Sequence, residues 1–152
     1  MNAKLRASVT GAITVVVAAL AALLGTAGTA QAESAPGCSG TTQIGTTAYV
    51  TYGGQTVASV KQFKGCGKNW AYVYAWQSFV DSGKSFTLQA GIGVYGSASQ
   101  QEPDRYLGIV QGGNRVRELW STGTDTLSDC TAAYGGVHVS GDFPDNHTSV
   151  RC

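Results

Sequence analysis

Two histidines and two aspartates could do metal or acid–base chemistry. They form the pattern H-x3-D-x2-D-x-H, whose members are His138, Asp142, Asp145 and His147. Imidazole and carboxylate groups ligate metals and transfer protons, so a turn that folds all four together could serve a small hydrolase or a metal-dependent enzyme. His138, however, lies between two valines, as a solvent-facing strand residue does, and both aspartates are ordinary turn formers. We therefore predict no catalytic residue, metal site or other cofactor.

Other catalytic patterns are weak. The sequence has no G-x-S-x-G elbow, and an even number of cysteines leaves none spare as a nucleophile. Glu102 and Asp104 flank a proline in a predicted loop, and Glu118 lies on a predicted strand. Loop solvation and a cross-strand ion pair explain these carboxylates as well as glycoside hydrolysis does. The sequence thus favours a protein that is not an enzyme.

An aromatic row in residues 69–81 is the most informative feature. Its members alternate with alanine and valine and are Trp70, Tyr72, Tyr74 and Trp76. A period of two places them on one face of a strand. Such a face could stack sugar rings or pack against a partner protein. Because a covering layer could also bury the alanine and valine face, we favour a core role and keep a binding face as the alternative.

Four cysteines, Cys38, Cys66, Cys130 and Cys152, indicate two disulfides, since no C-x-x-C pair supports zinc. A hairpin turn at Gly53-Gly54 pairs positions that sum to 107, which leaves Cys38 and Cys66 about three residues from opposition. A turn near Gly141 brings Cys130 opposite Cys152. Of the three possible connectivities we therefore predict Cys38–Cys66 with Cys130–Cys152.

Residues 1–32 have the order of a secretory signal peptide. Lys4 and Arg6 precede an apolar stretch over residues 12–24, and Ala30-Gln31-Ala32 forms an A-x-A cleavage pattern. The apolar stretch is shorter than the ~20 residues of a membrane-spanning helix, which argues against the rival interpretation of a permanent anchor. We predict cleavage before Glu33, which leaves residues 33–152 as a single secreted, extracellular β domain without a membrane span.

The charge balance argues against nucleic acid as a partner. Removing residues 1–32 removes two of the ten basic residues and none of the nine acidic ones, so the formal charge changes from +1 to −1. A duplex-binding surface needs clustered basic residues. Lys61, Lys64 and Lys68 form the one local cluster, and we predict that they lie on a solvated edge or loop.

Short strands and tight turns are predicted throughout residues 33–152, which hold 18 of the 21 glycines and show no long helical period. The predicted strands are Thr46–Tyr52, Gln55–Phe63, Asn69–Asp81, Ser85–Tyr95, Tyr106–Val110, Arg115–Trp120, Val137–Val139 and Thr148–Arg151. The strands at 106–110 and 115–120 are expected to form a hairpin, and residues 127–134 one short helical turn. This pattern predicts an all-β fold, a small disulfide-stapled antiparallel sandwich or barrel of about seven or eight short strands.

The run from Val60 to Tyr72, in which a hydrophobic strand leads to C-x3-W-A, resembles a pattern in small exported actinobacterial proteins of unknown function. The alanine- and valine-rich leader is similar to theirs. The likeness covers about a tenth of the chain, and the aromatic residue before the cysteine is displaced by one position. The resemblance implies an uncharacterised exported bacterial protein and supplies no catalytic residues.

Three function classes follow, in order of preference. The first is a non-enzymatic binding module outside the cell or at the envelope, with cell-wall or extracellular carbohydrate or a secreted protein as its partner. The second is a secreted inhibitor of proteases or other enzymes, which would present the polar loop Ser97–Arg105. The third is the small hydrolase or metal-dependent enzyme centred on the two histidines.

Overall fold

The computed structural model describes residues 33–152, and the predicted signal peptide lies outside the described residues. Within residues 33–152, no helix is both long enough and apolar enough to span a membrane. The elements in chain order are β1 Thr42–Tyr52, β2 Gln55–Gly65, β3 Lys68–Ala75, α1 Gln77–Val80, β4 Phe86–Tyr95, β5 Arg105–Gln111, β6 Glu118–Trp120, β7 Cys130–Val139 and β8 Asp145–His147.

The strands form two four-stranded sheets. Sheet A has the order β1-β2-β3-β6, and sheet B has the order β5-β4-β7-β8. Every pairing is antiparallel. The all-β prediction is confirmed, and of the two predicted architectures the fold is the sandwich.

The main apolar core lies between the two sheets and is built mostly from small and branched side chains. Val73 on sheet A and Leu88 on sheet B are fully buried in it. The sheets approach closely at Gly135, where an added Cβ would lie 2.3 Å from a methyl group of Val73. Real Cβ atoms do not tolerate that distance, so this position requires glycine.

The β1–β2 hairpin turns at Gly53-Gly54, whose φ angles of 59° and 76° suit glycine. Tyr52 pairs with Gln55, in the predicted register. Two irregularities then shift the pairing, so that Ile44 lies opposite Gln62. β1 begins only at residue 42, so Cys38 reaches Cys66 from outside the hairpin ladder.

Both predicted disulfides are present. Cys38 is bonded to Cys66 and Cys130 to Cys152, across sequence separations of 28 and 22 residues. The second bond closes the β7–β8 hairpin, which turns at Ser140-Gly141.

The predicted strand Thr148–Arg151 is present only as a single β-bridge between Arg151 and Thr131 of β7, because β8 is Asp145–His147. The Thr148 hydroxyl accepts a hydrogen bond from the backbone N–H of Ala133 at 2.9 Å. A side chain thus replaces the backbone acceptor and interrupts the ladder.

Two local predictions are also wrong. β3 ends at Ala75, and the chain then forms α1 instead of continuing as a strand to Asp81. The helical turn buries Phe79, whose ring packs against Phe86 at 4.9 Å. In place of the helical turn predicted within residues 127–134, one hydrogen-bonded turn from Thr126 to Asp129 precedes β7, which pairs with β4 along its whole length.

β5 and β6 do not form the predicted hairpin. β5 pairs with β4 in sheet B, whereas β6 pairs with β3 in sheet A. The connection between them is hydrogen-bonded to both sheets: Arg115 N–H donates to Phe86 O, and Ala75 N–H donates to Arg117 O. Residues 112–117 therefore close one side of the sandwich, and edge pairing in two sheets replaces the local hairpin.

Candidate functional site

A groove of about 420 Å³ opens beside two tryptophans, Trp70 on β3 and Trp120 on β6. We call it the tryptophan groove. Its other lining residues come from the N-terminal segment, from the start of β3, from sheet B and from the chain after β6, and they are Pro36, Lys68, Val110, Ser121, Thr122 and Gly123.

The predicted aromatic row faces away from the inter-sheet core. The alanines and valine between its members belong to that core, so the rings lie on the outer face of sheet A. There Trp70 and Tyr72 are buried in a second cluster with Phe63, under the segment that carries Ala35 and Cys38. Half of the row is therefore core, though not the core between the sheets.

The row does not act as one surface. Tyr74 is half-buried at the margin of the cluster. Trp76 follows the end of β3, is 42% exposed and contacts Tyr49 edge to face at 6.2 Å. The predicted binding face is thus divided, and Trp70 alone among its four members lines the tryptophan groove.

Trp70 is held from two sides. Its indole N–H donates to the carbonyl oxygen of Gly65 at 3.1 Å. Its six-membered ring lies against Gly123, where an added Cβ would be 2.6 Å away. Because Gly123 carries no side chain, the indole rests on backbone and keeps one orientation.

Trp120 is placed by the pairing of β6 with β3, which sets it opposite Tyr72. Its ring centroid lies 4.7 Å from that of Tyr72 and 5.1 Å from that of Phe63. The Tyr72 hydroxyl donates to Glu118 at 2.7 Å. Burial, and then this carboxylate, raise the pKa of Tyr72 far above its ordinary value. The phenol stays protonated and anchors β6 beneath the groove.

The groove combines a mostly apolar lining with a few polar groups. Lys68 forms an ion pair with Asp125 at 2.8 Å, Ser121 is buried and Thr122 is exposed. Indole surfaces beside hydroxyl and ammonium donors suit a ligand that has both an apolar face and polar edges.

No protein-family model, curated protein or solved structure matches the chain.

The histidines and aspartates of the C-terminal pattern do not form one site. His138 contacts Gln89 at 3.0 Å and stacks on Phe143 with ring centroids 4.0 Å apart. His147 instead contacts the carbonyl oxygen of Thr148 at 3.0 Å. Within residues 33–152, no group of three His, Cys, Asp or Glu residues could hold a metal ion. The hypothesis that the turn folds these four residues into a metal site is therefore wrong.

The loop between β4 and β5, proposed as an inhibitory loop, is braced by Gln100. Its side chain accepts a hydrogen bond from Gly96 N–H at 2.7 Å and donates to Asp104 at 2.7 Å. Glu118 is on β6, bonded to Tyr72, whereas Glu102 and Asp104 are in this loop. The three carboxylates that the sequence analysis considered for glycoside hydrolysis thus lie in two different surroundings.

Sheet B carries a second aromatic row, on its own outer face, that sequence reasoning missed. Ring centroids of Tyr106 and Tyr134 are 4.7 Å apart, and Phe143 follows at 6.3 Å before the stacked His138. We call these four residues the tyrosine face. They come from β5, β7 and the β7–β8 turn, so no local period could reveal them.

The three clustered lysines have separate roles. Lys61 pairs with Glu33 at 2.6 Å, and Lys68 pairs with Asp125. Lys64 is exposed and lies on the same face of β2 as the buried Gln62. Lys64 also borders a separate polar cavity.

Proposed function

We propose that this protein is a non-enzymatic carbohydrate-binding module that acts outside the cell or at the bacterial envelope. The observation that carries the proposal is the presence of two indoles, Trp70 and Trp120, on one groove beside Lys68 and Thr122.

The chemistry of the groove matches that of a sugar ring. A pyranose presents C–H groups on its faces, which pack against aromatic surfaces, and hydroxyl groups at its edge, which need donors and acceptors. The groove volume of about 420 Å³ lies within the range of small-ligand sites. The restraint of Trp70 by Gly65 and Gly123 lowers the entropy lost on binding.

Three further points support the proposed location. Both disulfides are compatible with an oxidising, extracellular environment. Residues 1–32 carry the predicted secretory leader, and the resemblance around Cys66 and Trp70 is to exported actinobacterial proteins.

The test is binding of the purified protein to insoluble peptidoglycan, chitin and cellulose, followed by titration with soluble oligosaccharides from whichever polymer retains it. Trp120→Ala should weaken binding about tenfold or more, as loss of a central aromatic contact does. Trp76→Ala is the matched control, because this third tryptophan is exposed and does not line the groove. It should bind like the unmodified protein.

Because Trp120 also packs in the aromatic cluster, Thr122→Val tests the groove at an exposed side chain. Equal binding by Trp120→Ala, Thr122→Val and the unmodified protein would contradict the assignment of the groove. Failure to bind any polysaccharide, with inhibition of proteases that Gln100→Ala abolishes, would favour the inhibitor instead. Hydrolysis of a substrate that a point substitution abolishes would overturn the non-enzymatic proposal.

A further inference from the structure

The interior of the sandwich changes from apolar to polar towards one end. Along β2, the inward residues run from Val60 to Gln62, and along β3 from Val73 to Asn69. Gln62 and Asn69 are 0% and 1% exposed. Buried amides are uncommon unless hydrogen-bonded, so each polar side-chain atom at this end of the core is expected to have a hydrogen-bond partner.

Most of that polar network is satisfied. The Gln62 side-chain amide donates to the hydroxyl of Thr131 at 2.9 Å. The Asn69 side-chain amide donates to the carbonyl oxygen of Thr126 at 2.9 Å and to its hydroxyl at 3.0 Å. These contacts connect β2, β3, β7 and the chain before β7.

One polar atom of this network lacks a hydrogen bond. Among the described residues, Oδ1 of Asn69 has no hydrogen-bond partner. Rotating the amide would not help, because Nδ2 donates to the Thr126 carbonyl, which can only accept. A buried acceptor without a donor is costly, so Asn69 Oδ1 calls for an N–H or O–H group from outside the chain.

Asn69 lines a cavity of about 170 Å³ with the charged residues Lys64, Asp129 and Arg151. Neither Lys64 nor Arg151 forms an ion pair within residues 33–152. The ion pair that the Asp129 carboxylate forms within the described part of the chain is a long one, to Arg105 at 3.7 Å. The cavity lining thus combines the side chains of Asn69, of two cations without an ion pair within residues 33–152 and of one acid.

We propose that this cavity binds a free α-amino acid. Its ammonium group would donate to Asn69 Oδ1 and pair with Asp129, and its carboxylate would accept from Lys64 and Arg151. The volume suits a small side chain, which Ile44 and Leu127 of the lining could contact. Asp129 favours an ammonium over a hydroxyl donor, because only the ammonium gains an opposite charge. This site is separate from the tryptophan groove and does not depend on its function.

Calorimetric titration of the purified protein with L-alanine tests the proposal. Propionate keeps only the carboxylate, ethylamine only the ammonium, and lactate exchanges the ammonium for a hydroxyl. L-alanine should bind tightest, and Lys64→Gln should weaken it roughly tenfold or more, as loss of a charge-assisted contact does. Lys84→Gln, at an exposed lysine that does not border the cavity, is the matched control and should bind normally.

Arg151→Gln provides a second exposed variant, and the thermal unfolding temperature of each variant verifies folding. Weaker binding in folded Lys64→Gln and Arg151→Gln supports the site. Propionate binding as tightly as L-alanine, or binding that neither substitution changes, overturns it. Absence of binding at millimolar L-alanine, with a crystal structure that shows only water at Asn69 Oδ1, also overturns it.

Discussion

The outer faces of the two sheets carry similar rings in different surroundings. On sheet A, Phe63, Trp70 and Tyr72 are buried under the segment around Cys38. On sheet B, Tyr106 is 42% exposed, and the other three members of the tyrosine face are half-buried. The strands themselves do not decide this difference. A segment outside the sheet, fixed by a disulfide, converts one aromatic face into a core.

The largest expected effect is the loss of stability on truncating a buried ring of sheet A, compared with the same change on sheet B. Phe63→Ala should lower the free energy of unfolding by about 3–5 kcal/mol, because it leaves a cavity in the covered cluster. Phe143→Ala, the matched change on the tyrosine face, should cost about 1 kcal/mol, because its ring is half-exposed and loses mainly the stacking on His138. Urea unfolding measures both. Equal losses would show that the segment around Cys38 gives the rings of sheet A no special protection.

Removing the cover should make sheet A more like sheet B. Cys38→Ser with Cys66→Ser should cost about 3 kcal/mol through the unfolded chain and expose Trp70, so that tryptophan emission shifts to longer wavelength. Cys130→Ser with Cys152→Ser should cost a similar amount, because its loop is of similar length, without that shift. Emission spectra in native buffer and urea unfolding measure the two effects. An unchanged spectrum in the first variant would contradict the covering role of this segment.

A smaller effect should appear at alkaline pH. Burial, followed by the neighbouring Tyr106 and Glu102, raises the pKa of Tyr95 to about 12 from its ordinary value of 10.0. The folded protein therefore holds the phenol proton more tightly than the unfolded chain does. This stabilisation is complete below pH 10 and disappears between about pH 10 and 12.

The urea midpoint of Tyr95→Phe should accordingly fall less steeply across that interval than the midpoint of the unmodified protein. Tyr49→Phe, at an exposed ring, is the matched control. Identical slopes for Tyr95→Phe and the unmodified protein would show that Tyr95 does not contribute to the loss of stability at alkaline pH.

The sequence predicted the fold class well where the signals were local. The Gly53-Gly54 turn and the alternation from residue 70 to residue 75 each lie within one hairpin or strand, so turn chemistry and side-chain period suffice to find them. The β5–β6 hairpin failed because pairing with distant strands outweighed a plausible local turn.

The candidate sites were less predictable for the same reason. Trp70 was singled out by its strand period, but Trp120 joins it only through the pairing of β6 with β3. No sequence pattern pointed to Asn69. Its side-chain amide N–H donates to Thr126, and its side-chain oxygen Oδ1 is left without a donor, which only the three-dimensional structure reveals. Contacts between segments that are distant in the sequence, rather than residue type, bring together the residues of both candidate sites.

The two disulfides lie beside the two proposed binding sites. Cys38 ties down the segment whose Pro36 borders the tryptophan groove, and Cys152 lines the cavity at Asn69. The inter-sheet core contains neither cysteine. We therefore expect that reduction of these bonds would weaken the binding proposed for both sites, in addition to lowering the free energy of unfolding.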